Sequence, residues 1–325
     1  MSQNIKEQFK NVVHGCAAPY HSKRADKFND AIDTAWKIYA NSSFDDMLDL
    51  AKNFGDFVRE QYPEKNRAYL VDKDVIQTYM NSKAASWSQD TFFTNYSRLK
   101  KLEICCKHIY FRDSEKFNWH MDDVIVPKSV KEAAHKKDTP IPMEVSRVIL
   151  ADMREKRSEV VNAVTLSAYL GMRAEETTCL KPKSVHFTGG EFGLGWVQIV
   201  RGPEGGAKGG RPRVIPIIDK EGQNALKSVV AGKKLDDYIA VSERGGKMGP
   251  DNVEGAICDA LKLKYGNTYL FNDGHGMRKT FAQRYYDIVR PGRKKSKAVS
   301  KTNEVLGHGS KRGPSGIKEY VRNMW

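Results

Sequence analysis

The chain has 325 residues, a length that predicts two domains, and its 54 Lys and Arg against 40 Asp and Glu give a net charge of +14. That excess points to a polyanionic partner, nucleic acid before a membrane surface. No apolar run is long enough to span a bilayer, MSQNIKEQFKNVVHG lacks the core and cleavage site of a secretory signal, and the odd, unspaced set Cys16, Cys105, Cys106, Cys179 and Cys258 argues against a disulfide framework or a zinc site.

Residues 1–25 read as an N-terminal arm or an extra helix. Residues 26–126 read as a helical domain. Phe28, Ile32, Ala35 and Tyr39 fall on one helical face, and Phe44, Met47, Leu48, Ala51, Phe54 and Val58 on a second that stops before Pro63. Val75, Ile76, Tyr79 and Met80 form a shorter third stripe. Phe92, Tyr96, Leu99, Leu102, Cys106 and Ile109 form a fourth, opened by the cap candidates Ser88 and Asp90. Arg98, Lys100, Lys101 and Lys107 lie between the apolar positions of that last helix. They are candidate DNA contacts, although a solvated face is the plainer account of any one helix. Residues 127–142, PKSVKEAAHKKDTPIP, carry three prolines and no apolar period, so they read as a basic interdomain linker with Lys136 and Lys137 as further DNA contacts.

Residues 143–325 read as a mixed domain. Val145, Val148, Ile149 and Met153 predict one helix after Pro142, and Val160, Val161, Val164 and Leu170 another that ends at Gly171. GWVQIV (195–200) and VIPII (214–218) predict two strands joined by a glycine-rich turn, GPEGGAKGGRPR. This turn is not a nucleotide-phosphate loop, because Lys208 is followed by Gly209 rather than Ser or Thr and strands flank it on both sides. A hairpin tip remains, carrying Lys208, with Arg211 and Arg213 nearby as further candidate DNA contacts. The rest of the chain reads as mostly helical.

Three stretches give this hairpin a context: LGMRAEETTCL (170–180), GHGMRKTFA (274–282) and VLGHGSKRGPSGIKEY (305–320). Arg173 and Glu176 alone would be a surface pair, and His275, His308 and Tyr320 ordinary polar residues. Together the types suit attack on a phosphodiester. Two arginines hold the non-bridging oxygens and stay charged at working pH. A tyrosine hydroxyl serves as a covalent nucleophile, a lysine protonates the leaving oxygen, and histidines exchange protons or hydrogen bonds.

These stretches, in this order, resemble the boxes of the tyrosine recombinase (phage integrase) family. The resemblance makes Arg173, Lys208, His275, Arg278 and His308 catalytic, Glu176 their support and Tyr320 the nucleophile, with Tyr285 as the fallback. It implies a mainly α chain with a small β-sheet, an N-terminal helical core-binding domain and a C-terminal mixed α/β catalytic domain that together clamp DNA. It also implies strand cleavage and rejoining through a 3′-phosphotyrosine and a Holliday junction, without a metal or other cofactor. The expected partners are double-stranded DNA recombination sites, with a homo-tetramer on DNA, a monomer or weak oligomer when free, and room for an auxiliary DNA-bending factor. The implied setting is the cytoplasm, near the DNA of a prokaryote or virus, and the implied origin a mobile element. Against the family pattern, RPGRKKSKAVSK (290–301) is an added cationic stretch, in which Arg293, Lys294, Lys295 and Lys297 are expected to touch the DNA backbone. The His308–Tyr320 interval is slightly long, and residues 321–325 are shorter than the tail the family docks on a neighbouring protomer. A type IB topoisomerase-like relaxer and a silent DNA-binding protein of the same fold are the alternatives. An RNA-binding protein is disfavoured by the lack of an aromatic RNP-like strand motif.

Overall fold

The computed structural model describes residues 4–19, 26, 33–127, 139–200, 212–267, 269–308, 317–318 and 320–321. It divides into two compact units, Met1–His135 and Lys136–Trp325. Among the described residues no helix is long and apolar enough to cross a membrane.

The first unit is helical. Helices α1 (Ile5–Gly15), α2 (Asn41–Gln61), α3 (Lys73–Ala84) and α4 (Gln89–Ile109) each bury one apolar stripe. Asn4, Asp72 and Ser88 cap α1, α3 and α4 by accepting from backbone N–H groups of the first turn. The stripes meet around Phe9, Phe54, Tyr79 and Trp119, whose rings lie 5.0–5.9 Å apart. Helix α1 packs on α2 and α4, so the N-terminal stretch is integral to this core.

The helix expected over Phe28–Tyr39 is not continued through its described part. Residues 33–40 run as turn and extended chain, and residues 27–32 lie outside the described set. The backbone there takes tertiary partners in place of an i→i+4 ladder. Ile38 bridges Ala17, Lys101 donates to the carbonyls of Ala35 and Lys37, and the Cys105 thiol donates to that of Trp36.

The second unit is built around one helix. Helices α5 (Met143–Lys156), α6 (Ser158–Leu170) and α7 (Ala174–Cys179) are followed by strands β1 (Val185–His186), β2 (Trp196–Ile199) and β3 (Arg213–Pro216). Helices α8 (Lys220–Val230), α9 (Pro250–Tyr265), α10 (Asp273–Val289) and α11 (Lys295–Val305) complete it. Helix α6 buries every residue from Ala163 to Leu170 and touches α5, α7, α8, α9 and α10, as a helix that is apolar all round must. The three strands form an antiparallel sheet in the order β1-β2-β3, with Val197 opposite Ile215 and Ile199 opposite Arg213. The expected hairpin is therefore present in its arms, while its connection, 201–211, lies outside the described residues.

The segment Thr139–Ile141 is tied to the start of α10. Thr139 N–H donates to the Leu270 carbonyl, Asn272 N–H to that of Thr139, and Ile141 N–H to that of Gly276. The Thr280 hydroxyl returns to the Ile141 carbonyl at 2.5 Å.

Candidate active site

Arg173 is placed by the end of the central helix. Gly171 closes α6 at φ +58°, and a Cβ there would lie 2.6 Å from the Phe281 ring, so only glycine fits the turn. Met172 is buried, and Arg173 becomes the extended N-cap of α7. Its backbone N–H and its Nη1 each donate to Glu176 at 2.8 Å, one to each carboxylate oxygen. The acid sits three residues into the helix, where it satisfies the cap N–H and meets the positive end of the helix dipole.

Glu176 is fully buried and holds a second arginine. Arg213 donates from Nη1 to Oε1 at 2.7 Å and from Nη2 to Oε2 at 2.6 Å, a bidentate fork. This corrects the expectation that Arg213 reaches DNA, because its side chain is only 5% exposed. The sequence carries a signal for this. Arg213 shares the parity of Ile215 and Ile217, which face inward, so β3 turns its guanidinium to the core.

Arg278 comes from α10. Asn272 caps that helix by accepting from the N–H of His275, which stands exposed in the first turn. Arg278 follows one turn later and is 1% exposed. Its Nη1 donates to the Gly171 carbonyl at 2.5 Å and its Nη2 to that of Leu306, while its Nε meets no acceptor among the described residues.

The C-terminus of α11 completes the set. Leu306 N–H returns to Thr302, Gly307 N–H to Glu304 and His308 N–H to Asn303, with Gly307 at φ +71°. This is a Schellman closure, and it leaves the carbonyls of Val305 and Leu306 for other donors. Arg213 Nε takes the first at 2.7 Å. Arg173 Nη2, at 3.4 Å, and Arg278 share the second. Three guanidinium groups thus converge on one carboxylate and the negative end of one helix. Three charges against one leaves a surplus of two, held in a buried setting that favours an incoming anion.

Tyr320 borders this surplus. Its ring lies 5.8 Å from the Arg278 guanidinium carbon and 4.9 Å from the His308 ring, and the residue is 9% exposed. Buried Ile317 and Val321 flank it, and the Tyr320 and Val321 N–H groups both return to the Ile317 carbonyl. Tyr285, the fallback nucleophile, lies in the core with its hydroxyl donating to Glu191 at 2.8 Å. Burial, then Glu191, pushes that phenol well above its ordinary pKa, which suits packing better than attack.

Electrostatics separate the two ends of the cluster. Burial opposes ionisation of Glu176, but hydrogen bonds from Arg213 and the charges of Arg213, Arg278 and Arg173 outweigh it and hold the carboxyl at about 2. Burial, then the like charges of Arg173 and Arg213, lowers the pKa of Arg278, against which Glu176 works. The guanidinium keeps its proton but gains from any added negative charge. Because the folded pKa of Glu176 lies below its ordinary 4.5, its contribution to stability is present above that value and is lost as pH falls through the folded one. Thermal unfolding at about pH 6 and about pH 3 should therefore show a larger acid loss for wild type than for Glu176→Gln. Equal losses would mean that the pairing contributes nothing to acid stability.

The other expected residues are placed differently. Arg98 pairs with Asp46, Lys100 with Asp122, and Lys107 with Glu103 at 2.8 Å, so the face of α4 expected on DNA is tied to local acids. Lys101 instead holds the 35–37 turn. Arg293, Lys294 and Lys297 are exposed, and Lys295 is half-buried at the start of α11. Lys136, Lys137, Lys208 and Arg211 lie outside the described residues.

Residues 129–282 match the protein family described as Integrase. No curated protein matches the chain. Among solved structures, lambda integrase bound to DNA shares 11% identity over 99% of this chain and 98% of that one, with a TM-score of 0.60. The integrase of transposon Tn1549, in complex with a circular intermediate DNA, shares 13% over 99% and 96%, at 0.56. A lambda integrase dimer on a core site shares 12% over 100% and 83%, at 0.58. The chain has the fold of these proteins.

Proposed function

We propose that this chain, whose residues 129–282 match the integrase family, is a site-specific tyrosine recombinase that breaks and rejoins DNA strands. The observation that carries this reading is the convergence beside Tyr320 of Arg173 and Arg213 on the Glu176 carboxylate and of Arg278 on the carbonyl end of α11. A phosphodiester brings the negative charge this cluster lacks. Arg173 and Arg278 hold its non-bridging oxygens and stabilise the pentavalent centre, where the charge is greatest. The Tyr320 oxygen bonds to phosphorus and gives up its proton, the bond to the 5′ oxygen breaks, and Lys208 protonates that oxygen as it leaves. His308 and His275 supply hydrogen bonds and proton exchange at the phosphate. The 3′-phosphotyrosine keeps the bond energy, so the reverse attack by a 5′ hydroxyl reseals the strand. Two such exchanges through a Holliday junction, by four copies on two sites of a mobile element's DNA, complete recombination.

The test uses nicked duplexes of randomised sequence, so that a cleaved strand loses its 5′ end and the intermediate accumulates. Wild-type protein in EDTA should give a covalent protein–DNA band on a denaturing gel. No band at any protein concentration would end the reading.

The cationic start of α11 is the proposed point of attachment to the DNA backbone. Replacing Lys294 and Lys295 by Ala should lower the slope of log affinity against log salt by about one unit for each phosphate that the variant no longer neutralises. An unchanged slope would return the stretch to solvent.

A further inference from the structure

We propose that Arg213 is a positioning residue for strand cleavage, which sets Arg173 through Glu176 and anchors the start of β3 to the end of α11. The inference rests on the recombinase reading above. It assigns a task to a residue outside the set read from the sequence boxes.

The geometry is specific. Arg213 Nη1 and Nη2 each donate to a different oxygen of Glu176, and Nε donates to the Val305 carbonyl, so every nitrogen of the fork is engaged. The same two carboxylate oxygens accept the Arg173 N–H and Nη1. Glu176 is therefore a shared hub, and the fork on its far side fixes the rotamer that Arg173 reads. The turn at Gly307 lies against the arginine, since a Cβ there would come within 3.1 Å of Nη1 and 3.2 Å of Cδ. One enclosed side chain thus touches the arginine box, the base of the hairpin and the turn that delivers His308.

Stability alone does not account for this arrangement. A buried ion pair is often no more stabilising than a packed apolar pair of the same volume. What an apolar pair cannot do is hold a carboxylate plane in one orientation while leaving both of its oxygens ionised for a second arginine. With Arg213 gone, the hub loses two of its hydrogen bonds and its largest favourable charge, and burial then pushes its proton affinity upward. A protonated or rotated Glu176 would hold Arg173 poorly. Misplacement of a phosphate clamp by about 1 Å costs about 10²-fold in rate.

The experiment compares wild type with Arg213→Lys, Arg213→Gln, Glu176→Gln and the double Arg213→Gln/Glu176→Gln. Three quantities are read: DNA affinity and its salt slope, single-turnover cleavage of the nicked duplex at saturating protein, and the ¹³C titration of the Glu176 carboxyl without DNA. Arg213→Lys should fold, bind DNA with wild-type affinity and slope, cleave about 10²-fold more slowly, and titrate Glu176 at a higher pH. The double variant should be no slower than the slower single, because both changes disable the same hub. Multiplying effects would show that Arg213 does not act through Glu176 and would overturn the proposal. So would a weaker affinity with a shallower salt slope and normal cleavage of bound DNA, which would make Arg213 a phosphate ligand. Failure of both Arg213 variants to fold would make the residue structural and overturn it as well. A wild type that forms no adduct while the Glu176 titration still shifts would instead remove the recombinase reading and leave the tie between the two residues standing.

Discussion

Tyr320→Phe is expected to bind DNA as wild type does and to form no covalent adduct, a loss on the order of 10⁴-fold or more in strand cleavage. The ring would be kept, so its place beside His308 and Arg278 and its burial between Ile317 and Val321 would persist. Only the oxygen that bonds to phosphorus would be missing. Tyr285→Phe is the matched control. It removes a hydroxyl that donates to Glu191, so it should cost some stability and leave the adduct band intact. Denaturing gels on nicked duplex distinguish the two. An adduct from Tyr320→Phe would move the nucleophile elsewhere, and its disappearance in Tyr285→Phe would move it to α10.

Arg278→Lys should be the second most damaging change, lowering cleavage by about 10²- to 10³-fold, the usual cost of losing one preorganised donor at a developing charge. The substitution keeps the charge but not the fork. A lysine cannot reproduce the planar fork that spans the Gly171 and Leu306 carbonyls and fixes the direction of Arg278 Nε, which is buried with no acceptor among the described residues. Stability should fall as well, because two buried carbonyls lose strong donors while the charge that crowds Arg173 and Arg213 remains. Single-turnover cleavage beside thermal unfolding separates the two. A wild-type cleavage rate would exclude Arg278 from the reaction.

How far the sequence predicts this molecule depends on what kind of information each part needs. The stripes of α2, α3 and α4, the pair α5 and α6 and the arms of the hairpin are readable because apolar period alone specifies a buried face. At its described end, over Ala35 and Tyr39, the stripe of Phe28–Tyr39 misleads because the backbone finds tertiary partners, which the turn at 33–40 has in Lys101 and Cys105. Strand β1 has two residues and no period to read. Within the site, Arg173, Arg278, His308 and Tyr320 sit in recognisable boxes, and the structure gathers them. Arg213, judged by its charge and its neighbours, reads as a surface cation. Its parity in β3 says otherwise, and Glu176, an acid destined for burial, needs such a partner. Charge pairing across 37 residues leaves no local signature, which is why Arg213 has to be found in three dimensions.

The closure of α11 makes the length of a helix a chemical variable. Another turn would draw the Val305 and Leu306 carbonyls into its own ladder, and three guanidinium groups would lose their shared acceptors. An insertion that extends α11 past Gly307 would therefore disarm the chemistry without altering any residue that performs it. For anyone redesigning this scaffold, the stop at Gly307 must be kept as strictly as the nucleophile.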